Sequence, residues 1–209
     1  MATDTEPVGL FTEGAAGIAA IVLSIIALAG VSSVALAAVA TIVIGVGLMV
    51  QGFNTAAENM RLPLAGGVAE FGGEVMVECL GGGAGIVLGV LALIGLGSGP
   101  LLSAALIVFG GALLLSGALA TRSRLAVPAP GAAQAIAAPG SAATGSVELL
   151  LGVTAVVLGI LSLTLTAAHT ATLLLVGFIV VGAALLIVSA TFGAALMRVF
   201  ATTDRFAAE

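Results

Sequence analysis

Three glutamates stand at corresponding places in the sequence, and they are the residues best suited to chemistry. Glu13, Glu78 and Glu148 each precede a long apolar run, and intervals of 65 and 70 residues separate them. Carboxylates brought close together favour a shared proton or a bound cation, because like charges repel. They are therefore candidates for a proton, cation or partner site. The simpler alternative is that each begins a helix, where the helix dipole stabilises a negative charge by about 0.3–1 kcal/mol.

A second acidic group leads up to the middle glutamate. Glu70, Glu74 and Glu78 are four residues apart, so a helix would place all three on one face. Gly72 and Gly73 weaken the helix prediction. A solvated acidic face is the ordinary interpretation of such a run. Docking of a basic partner, or binding of a hard cation, is the alternative.

Histidine and cysteine occur only once each. His169 lies in the stretch LTAAHTAT and is a candidate pH sensor, because histidine can gain a proton in mild acid; a polar turn residue is the ordinary alternative. A single cysteine, Cys79, excludes an internal disulfide and a cysteine-based zinc site. The sequence contains no HExxH motif and no evident Ser/His/Asp set. We therefore expect no catalytic residue, no metal, no cofactor and no enzyme activity.

The composition predicts a membrane protein. Hydrophobic residues make up 61% of the chain and charged residues only 7%, against about 25% charged in a soluble domain. Apolar runs of about twenty residues are typical of helices that cross a bilayer, so lipid is the expected surrounding. These runs do not alternate apolar and polar residues as barrel strands do. The net charge of −5 and the lack of lysine exclude nucleic acid as a partner.

The apolar runs pair into three helical hairpins of similar sequence. Turn residues in AGVSSV (29–34) and GLGSGP (95–100) separate the first two pairs, and LTAAHTAT (165–172) is the weakest break. We expect an all-α integral membrane fold, with six transmembrane helices arranged as three tandem αα-hairpin repeats in a pseudo-threefold bundle. The predicted spans are 14–31, 34–53, 79–97, 101–120, 148–168 and 171–197.

Charged residues divide the chain into apolar repeats and polar connections. Every arginine lies in a tail or a connection between hairpins, which predicts that both termini are cytoplasmic. The segment 121–147, rich in Pro, Ala and Gly, is expected to be flexible or partly extended. The predicted units are a tail (1–12), hairpin repeats one to three (13–53, 78–120 and 148–197), an acidic connector (54–77), the Pro/Ala/Gly linker (121–147) and a second tail (198–209).

Small residues recur every four positions on the first helix of each hairpin. In lipid, such stripes let two helix backbones come close, so they predict helix-packing surfaces. Small residues scattered by composition alone are the alternative. The predicted packing residues are Ala16, Ala20 and Ser24 on the first span, Gly81, Gly85 and Gly89 on the third, and Ala155 and Gly159 on the fifth.

The repeated unit resembles the short repeat of the HdeD family. The shared pattern is G-x-x-x-[IV]-V-L-G-[IV]-L-[AS]-L, a turn, and then I-V-x-G-x-x-L-L-x-S-G; it covers 13–52, 78–117 and 148–189, with the middle unit most similar. Members of that family often have an Asn-Pro or similar turn after the first helix of the repeat. In this chain only Pro100, in the second unit, matches that feature. The resemblance implies a non-enzymatic protein of the bacterial inner membrane, with six spans and a link to stress such as acid.

Two kinds of function follow from these observations. The first is a structural, scaffolding or stress-response role, with self-association or with a membrane or cytoplasmic protein docked on the acidic face. The second is a channel or passive facilitator for protons or small neutral solutes, in which polar side chains line a narrow path. The residues expected to line that path are Ser24, Thr41, Thr154, Ser162 and Thr164.

Overall fold

Helices make up all the regular structure in the described part of the chain. The computed structural model describes residues 6–61, 68–125, 133–165 and 167–206, with side chains described mainly over 12–54, 75–119, 145–165 and 169–190. The all-α prediction is confirmed for these residues. The helices are α1 (Glu6–Leu28), α2 (Ser33–Arg61), α3 (Val68–Leu93), α4 (Ser98–Leu125), α5 (Ala133–Thr164) and α6 (Ala167–Phe206).

Five of these helices are long and apolar enough to cross a membrane. In α1 the described apolar stretch, Thr12–Leu28, is shorter. Five of the six expected spans therefore have the length and composition of membrane-crossing helices. The five candidate spans are Ser33–Asn54, Val75–Leu93, Ser98–Leu119, Gly145–Thr164 and His169–Ala190.

Glycine ends the first helix of two hairpins, where the sequence predicts turns. Gly30 and Gly95 follow α1 and α3, and both have a φ of 92°. Their N–H groups donate to the carbonyls of Ala27 and Ala92, which closes each helix end. A side chain at this φ would collide with its own backbone, so glycine is required at both turns.

The helices are longer than predicted at several ends. The first helices of the hairpins begin at Glu6, Val68 and Ala133, several residues before the expected starts. The expectation that 121–147 is flexible or extended is wrong for 121–125 and 133–147, which belong to α4 and α5. Frequent alanine, the strongest helix former, favours the helix over 133–147. Residues 126–132 lie outside the described part of the chain.

The six helices form a closed ring, and three of them, α2, α4 and α6, also meet one another on its inside. Each helix packs on the next one in the chain, α6 packs on α1, and α2, α4 and α6 also contact one another. Outward-facing apolar side chains lie mostly on α1, α3 and α5, among them Leu80 and Leu150, each more than two-thirds exposed. The largest fully buried apolar side chains belong to the inner helices and include Ile44, Leu48, Leu102, Leu106, Phe109, Leu113, Phe178, Val181 and Leu185.

Pairs of glycines let neighbouring hairpins come into backbone contact. A Cβ atom on Gly82 would lie 2.5 Å from the carbonyl oxygen of Gly45, and one on Gly45 would lie 2.6 Å from that of Gly82. Real Cβ atoms do not come this close to a backbone oxygen, so α2 and α3 cross where neither has a side chain. Among the described residues, contacts of this kind in both directions occur at Gly45–Gly82 (α2 and α3), Gly110–Gly152 (α4 and α5) and Gly182–Gly17 (α6 and α1).

Candidate functional site

The three repeated glutamates are buried inside the bundle. Glu13, Glu78 and Glu148 are 1%, 2% and 6% exposed, although acidic residues are rarely so fully buried. Each lies at least seven residues beyond the start of its helix, after Glu6, Val68 or Ala133. The backbone N–H groups there already bond within the helix, so the interpretation as helix-start carboxylates is wrong. Their burial needs another explanation.

Glu13 is buried within electrostatic reach of a second buried carboxylate, Glu148. Burial is the larger penalty on a negative charge at Glu13, and repulsion by Glu148 adds to it. In the described part of the chain, Oε1 of Glu13 is buried with no hydrogen-bond partner. An ionised carboxylate without compensation is costly away from water, so such a site suits a bound proton or cation.

Close packing fixes the backbone around the glutamates. A Cβ atom on Gly52 of α2 would lie 3.2 Å from Cβ of Glu78 and 2.9 Å from Sγ of Cys79. On α1, a Cβ atom at Gly14 would lie 3.1 Å from the hydroxyl of Ser189 on α6. Small residues therefore bring α2 close to α3 beside Glu78, and α1 close to α6 beside Glu13.

The three glutamates do not meet as one metal-binding cluster. Within the described residues, no group of three or more His, Cys, Asp or Glu side chains could hold a metal ion. The site is better described as the pair of Glu13 and Glu148, with Glu78 buried on a third helix. Of the other acidic residues in the prediction, Glu70 and Glu74 lie on α3, and their side chains are outside the described part of the structure.

His169 does not lie in the connection between α5 and α6. It belongs to the first turn of α6, which begins at Ala167, and its side chain is exposed. The position expected from the sequence was wrong because no Gly or Pro marks this break, and the alanines and threonines on either side continue as helix. The glutamate pair lies toward the opposite end of the bundle.

The predicted packing residues lie at helix contacts or in buried positions. Gly85 contacts the ring of Phe109 on α4, and Gly89 lies against Ile42 on α2. Ser24 is fully buried, with no hydrogen-bond partner for its hydroxyl in the described structure. For the others, Gly81 lies against Ala112, Gly159 lies against Ile107, and Ala16, Ala20 and Ala155 are buried.

The polar path predicted for a channel is not formed by the expected residues. Thr154 and Thr164 are exposed on α5 and donate to carbonyls of their own helix. Thr41 is fully buried and donates to the carbonyl of Ala37 at 2.8 Å. Between the inner helices the described residues form an apolar core, and the buried hydroxyls there include Thr41, Ser103 and Ser116, of which only Thr41 was expected.

The glycines at the helix crossings are not among the predicted packing residues. Gly17, Gly82 and Gly152 align with one another in the sequence, each four residues after one of the three glutamates. This alignment, rather than a four-residue spacing of small residues, is the sequence signal that marks them.

A cavity of about 400 Å³ opens at the end of the bundle that carries the turns. It lies among the first turns of α2, α4 and α6 and the last turn of α5. Most of its surface is apolar, and hydroxyl groups stand at several places on its wall. The hydroxyl-bearing residues that line it are Ser33, Ser98, Ser103, Ser162 and Thr170.

Comparisons of this chain with protein-family models, with curated proteins and with solved structures found no match.

Proposed function

We propose that this chain is a non-enzymatic membrane protein of the HdeD type, with six spans and a stress-linked structural role. In this proposal three hairpin repeats form a pseudo-threefold bundle. The three glycine crossings support the repeat, because each joins the second helix of one hairpin to the first helix of another. Mutual contacts among α2, α4 and α6 support a central axis between them.

The observation that carries the functional part is the buried pair of Glu13 and Glu148. Oε1 of Glu13 lacks a hydrogen-bond partner in the described structure, and the neighbouring carboxylate repels it. A proton or cation at this pair would remove the repulsion and tighten α1 and α5 against the bundle. We propose that binding of this proton or cation couples the packing of the protein to acid or ionic stress.

The test compares thermal unfolding of two purified triple variants with that of the wild type. We expect the wild type to be stabilised as the pH falls from 8 to 5 or as a cation is added, because a ligand that binds only the folded state stabilises it. One site filled at a hundred times its dissociation constant contributes about 2.7 kcal/mol. The variant E13Q/E78Q/E148Q should lose this dependence.

The matched control carries the same change in charge elsewhere. It replaces Asp4, Glu6 and Glu209 with their amides, at positions the sequence assigns to the tails. The control should keep the pH and cation dependence of the wild type. Equal dependence in both triple variants would overturn the proposal. Cells that carry the E13Q/E78Q/E148Q variant should also survive acid shock less well than cells that carry the control.

A cytoplasmic location of both termini is part of the same proposal. In a variant without Cys79, we expect a cysteine placed at Ser32, in the first turn, to react with a membrane-impermeant thiol reagent added to intact cells. A cysteine placed at Arg122, between the second and third hairpins, should react only after the cells are opened. Labelling of the Arg122 position from outside would contradict this topology.

Self-association or a bound protein partner is also proposed. Glu70 and Glu74 precede the buried Glu78 in the sequence of α3, and the acidic segment they belong to is the proposed docking region. Purification in a mild detergent, followed by measurement of the particle mass, should recover a stable oligomer or an associated protein. A monodisperse monomer would exclude this part of the proposal and leave the carboxylate role standing.

A further inference from the structure

The cavity at the turn end has the features of a binding site. Its volume of about 400 Å³ falls within the range of about 300–1,000 Å³ that is usual for small-molecule sites. Three corresponding helix starts contribute a hydroxyl each, from Ser33, Ser98 and Thr170. The apolar wall includes Leu102 and Leu174, both nearly fully buried. An apolar wall with a few placed polar groups is typical of a ligand pocket.

Two serines form a fixed polar point within this cavity. The hydroxyl of Ser162 on α5 donates to that of Ser103 on α4 at 2.8 Å, and Ser103 donates to the carbonyl of Gly99 at 3.1 Å. The side chains of both serines are almost fully buried. Both hydroxyl protons are used inside the protein, since the Ser162 hydroxyl also lies 2.7 Å from the carbonyl oxygen of Gly159, so toward a ligand these oxygens can act only as acceptors.

The lining chemistry defines the class of ligand. The residues that line the cavity carry no ionisable group, and a charged ligand would lose its hydration without compensation. An uncharged molecule with a donor such as a hydroxyl or amide N–H matches the serine oxygens. The rest of the ligand should be apolar, so that it matches the leucine side chains of the wall. A small neutral amphiphile therefore fits this wall better than an ion or a sugar.

We propose that the cavity between the first turns of α2, α4 and α6 binds a small uncharged amphiphile, with its donor group on Ser103 and Ser162. The site does not depend on the role proposed for Glu13 and Glu148, which lie toward the other end of the bundle. Its loss and the loss of the carboxylate function would therefore be separate results.

The probe is an octanol that carries a photoactivatable diazirine, used on the full chain in lipid nanodiscs. After irradiation, mass spectrometry should locate adducts in the first turns of α2, α4 and α6, and an excess of plain octanol should reduce them at least tenfold. Adducts spread over the outer faces of α1, α3 and α5 would overturn the proposal, because they would reflect probe dissolved in lipid.

Gly99 offers a variant that fills the cavity. It lines the cavity, and a Cβ atom built on it meets nothing within 4 Å, so G99L places a side chain in open space. We expect this variant to keep the thermal stability of the wild type and to lose at least nine-tenths of the specific adducts. The matched control is G111L on the same helix, where a Cβ atom also meets nothing but which does not line the cavity. The G111L variant should give the same amount of specific adducts as the wild type.

A second variant keeps the proposal testable if G99L fails to fold. The double variant S103A/S162A removes only the two hydroxyls, and we expect about a fivefold weaker competition by octanol, in line with the loss of about 1 kcal/mol for a hydrogen bond. Unchanged competition would overturn the placement of the donor group. A photoactivatable phospholipid that labels the same residues and resists octanol would also overturn the proposal, because it would assign the cavity to a lipid acyl chain.

Discussion

Replacement of Gly82 by leucine is expected to abolish folding. A Cβ atom at this position would already lie 2.5 Å from the carbonyl oxygen of Gly45 and 2.9 Å from the backbone nitrogen of Met49. A backbone cannot yield as a flexible side chain does, so α2 and α3 would have to separate along their length. Overpacking in a core ordinarily costs about 1–3 kcal/mol, and a leucine at a backbone crossing exceeds that range.

The neighbouring glycine provides the control for this experiment. Gly83 lies on the same helix, and a Cβ atom built on it meets nothing within 4 Å. G83L should give the same monodisperse peak in size-exclusion chromatography as the wild type and the same unfolding temperature. G82L should be lost as aggregate or unfold at a much lower temperature. Equal behaviour of the two variants would mean that the helices do not cross at Gly82.

Removal of the Phe109 ring is expected to cause a large loss of stability. The ring is fully buried and packs directly on Gly85 of α3. In lipid a phenyl group gains little by leaving water, so the stabilisation comes from packing contacts that an empty space would not replace. We expect F109A to lower the free energy of unfolding by about 3 kcal/mol, the lower end of the range for such truncations.

Phe53 is the matched control for Phe109. It is the same residue type on an inner helix, and its side chain is 59% exposed. F53A should change the free energy of unfolding by less than about 0.5 kcal/mol, as surface substitutions usually do. Unfolding in mixed micelles with increasing denaturing detergent measures both variants. Similar losses in the two would show that burial within the bundle does not determine the contribution of a phenyl ring here.

Much of the fold follows from the sequence because membrane helices obey simple rules. Apolar length indicates the spans, and Gly30 and Gly95 mark the turns, since few other residues adopt their backbone conformation. The connection between α5 and α6 was predicted a few residues too late, and His169 was misplaced with it, because no glycine marks this connection. The start of α5 was also expected too late, since an alanine-rich segment with few large apolar residues carries no apolar pattern even when it is helical.

The sequence identifies the residues of the candidate site but not their burial or arrangement. Repetition identified Glu13, Glu78 and Glu148, but nothing in a linear pattern tells whether a carboxylate starts a helix or lies several residues inside one. The pairing of Glu13 with Glu148 depends on α1 and α5 both packing against α6, which is a long-range contact. The cavity could not be foreseen either. Its hydroxyls come from four helices, and they are ordinary turn residues when considered one at a time.

The contact between the first and last helices has a consequence for biosynthesis. The face of α1 around Gly17 packs on Gly182 of α6, which is made more than 160 residues later. Until α6 has left the ribosome and entered the bilayer, the face of α1 around Gly17 lacks its packing partner. It is then exposed to lipid or to a neighbouring nascent chain. Joining of distant segments is slow compared with local pairing, so closure of the ring is expected to be the final step of assembly.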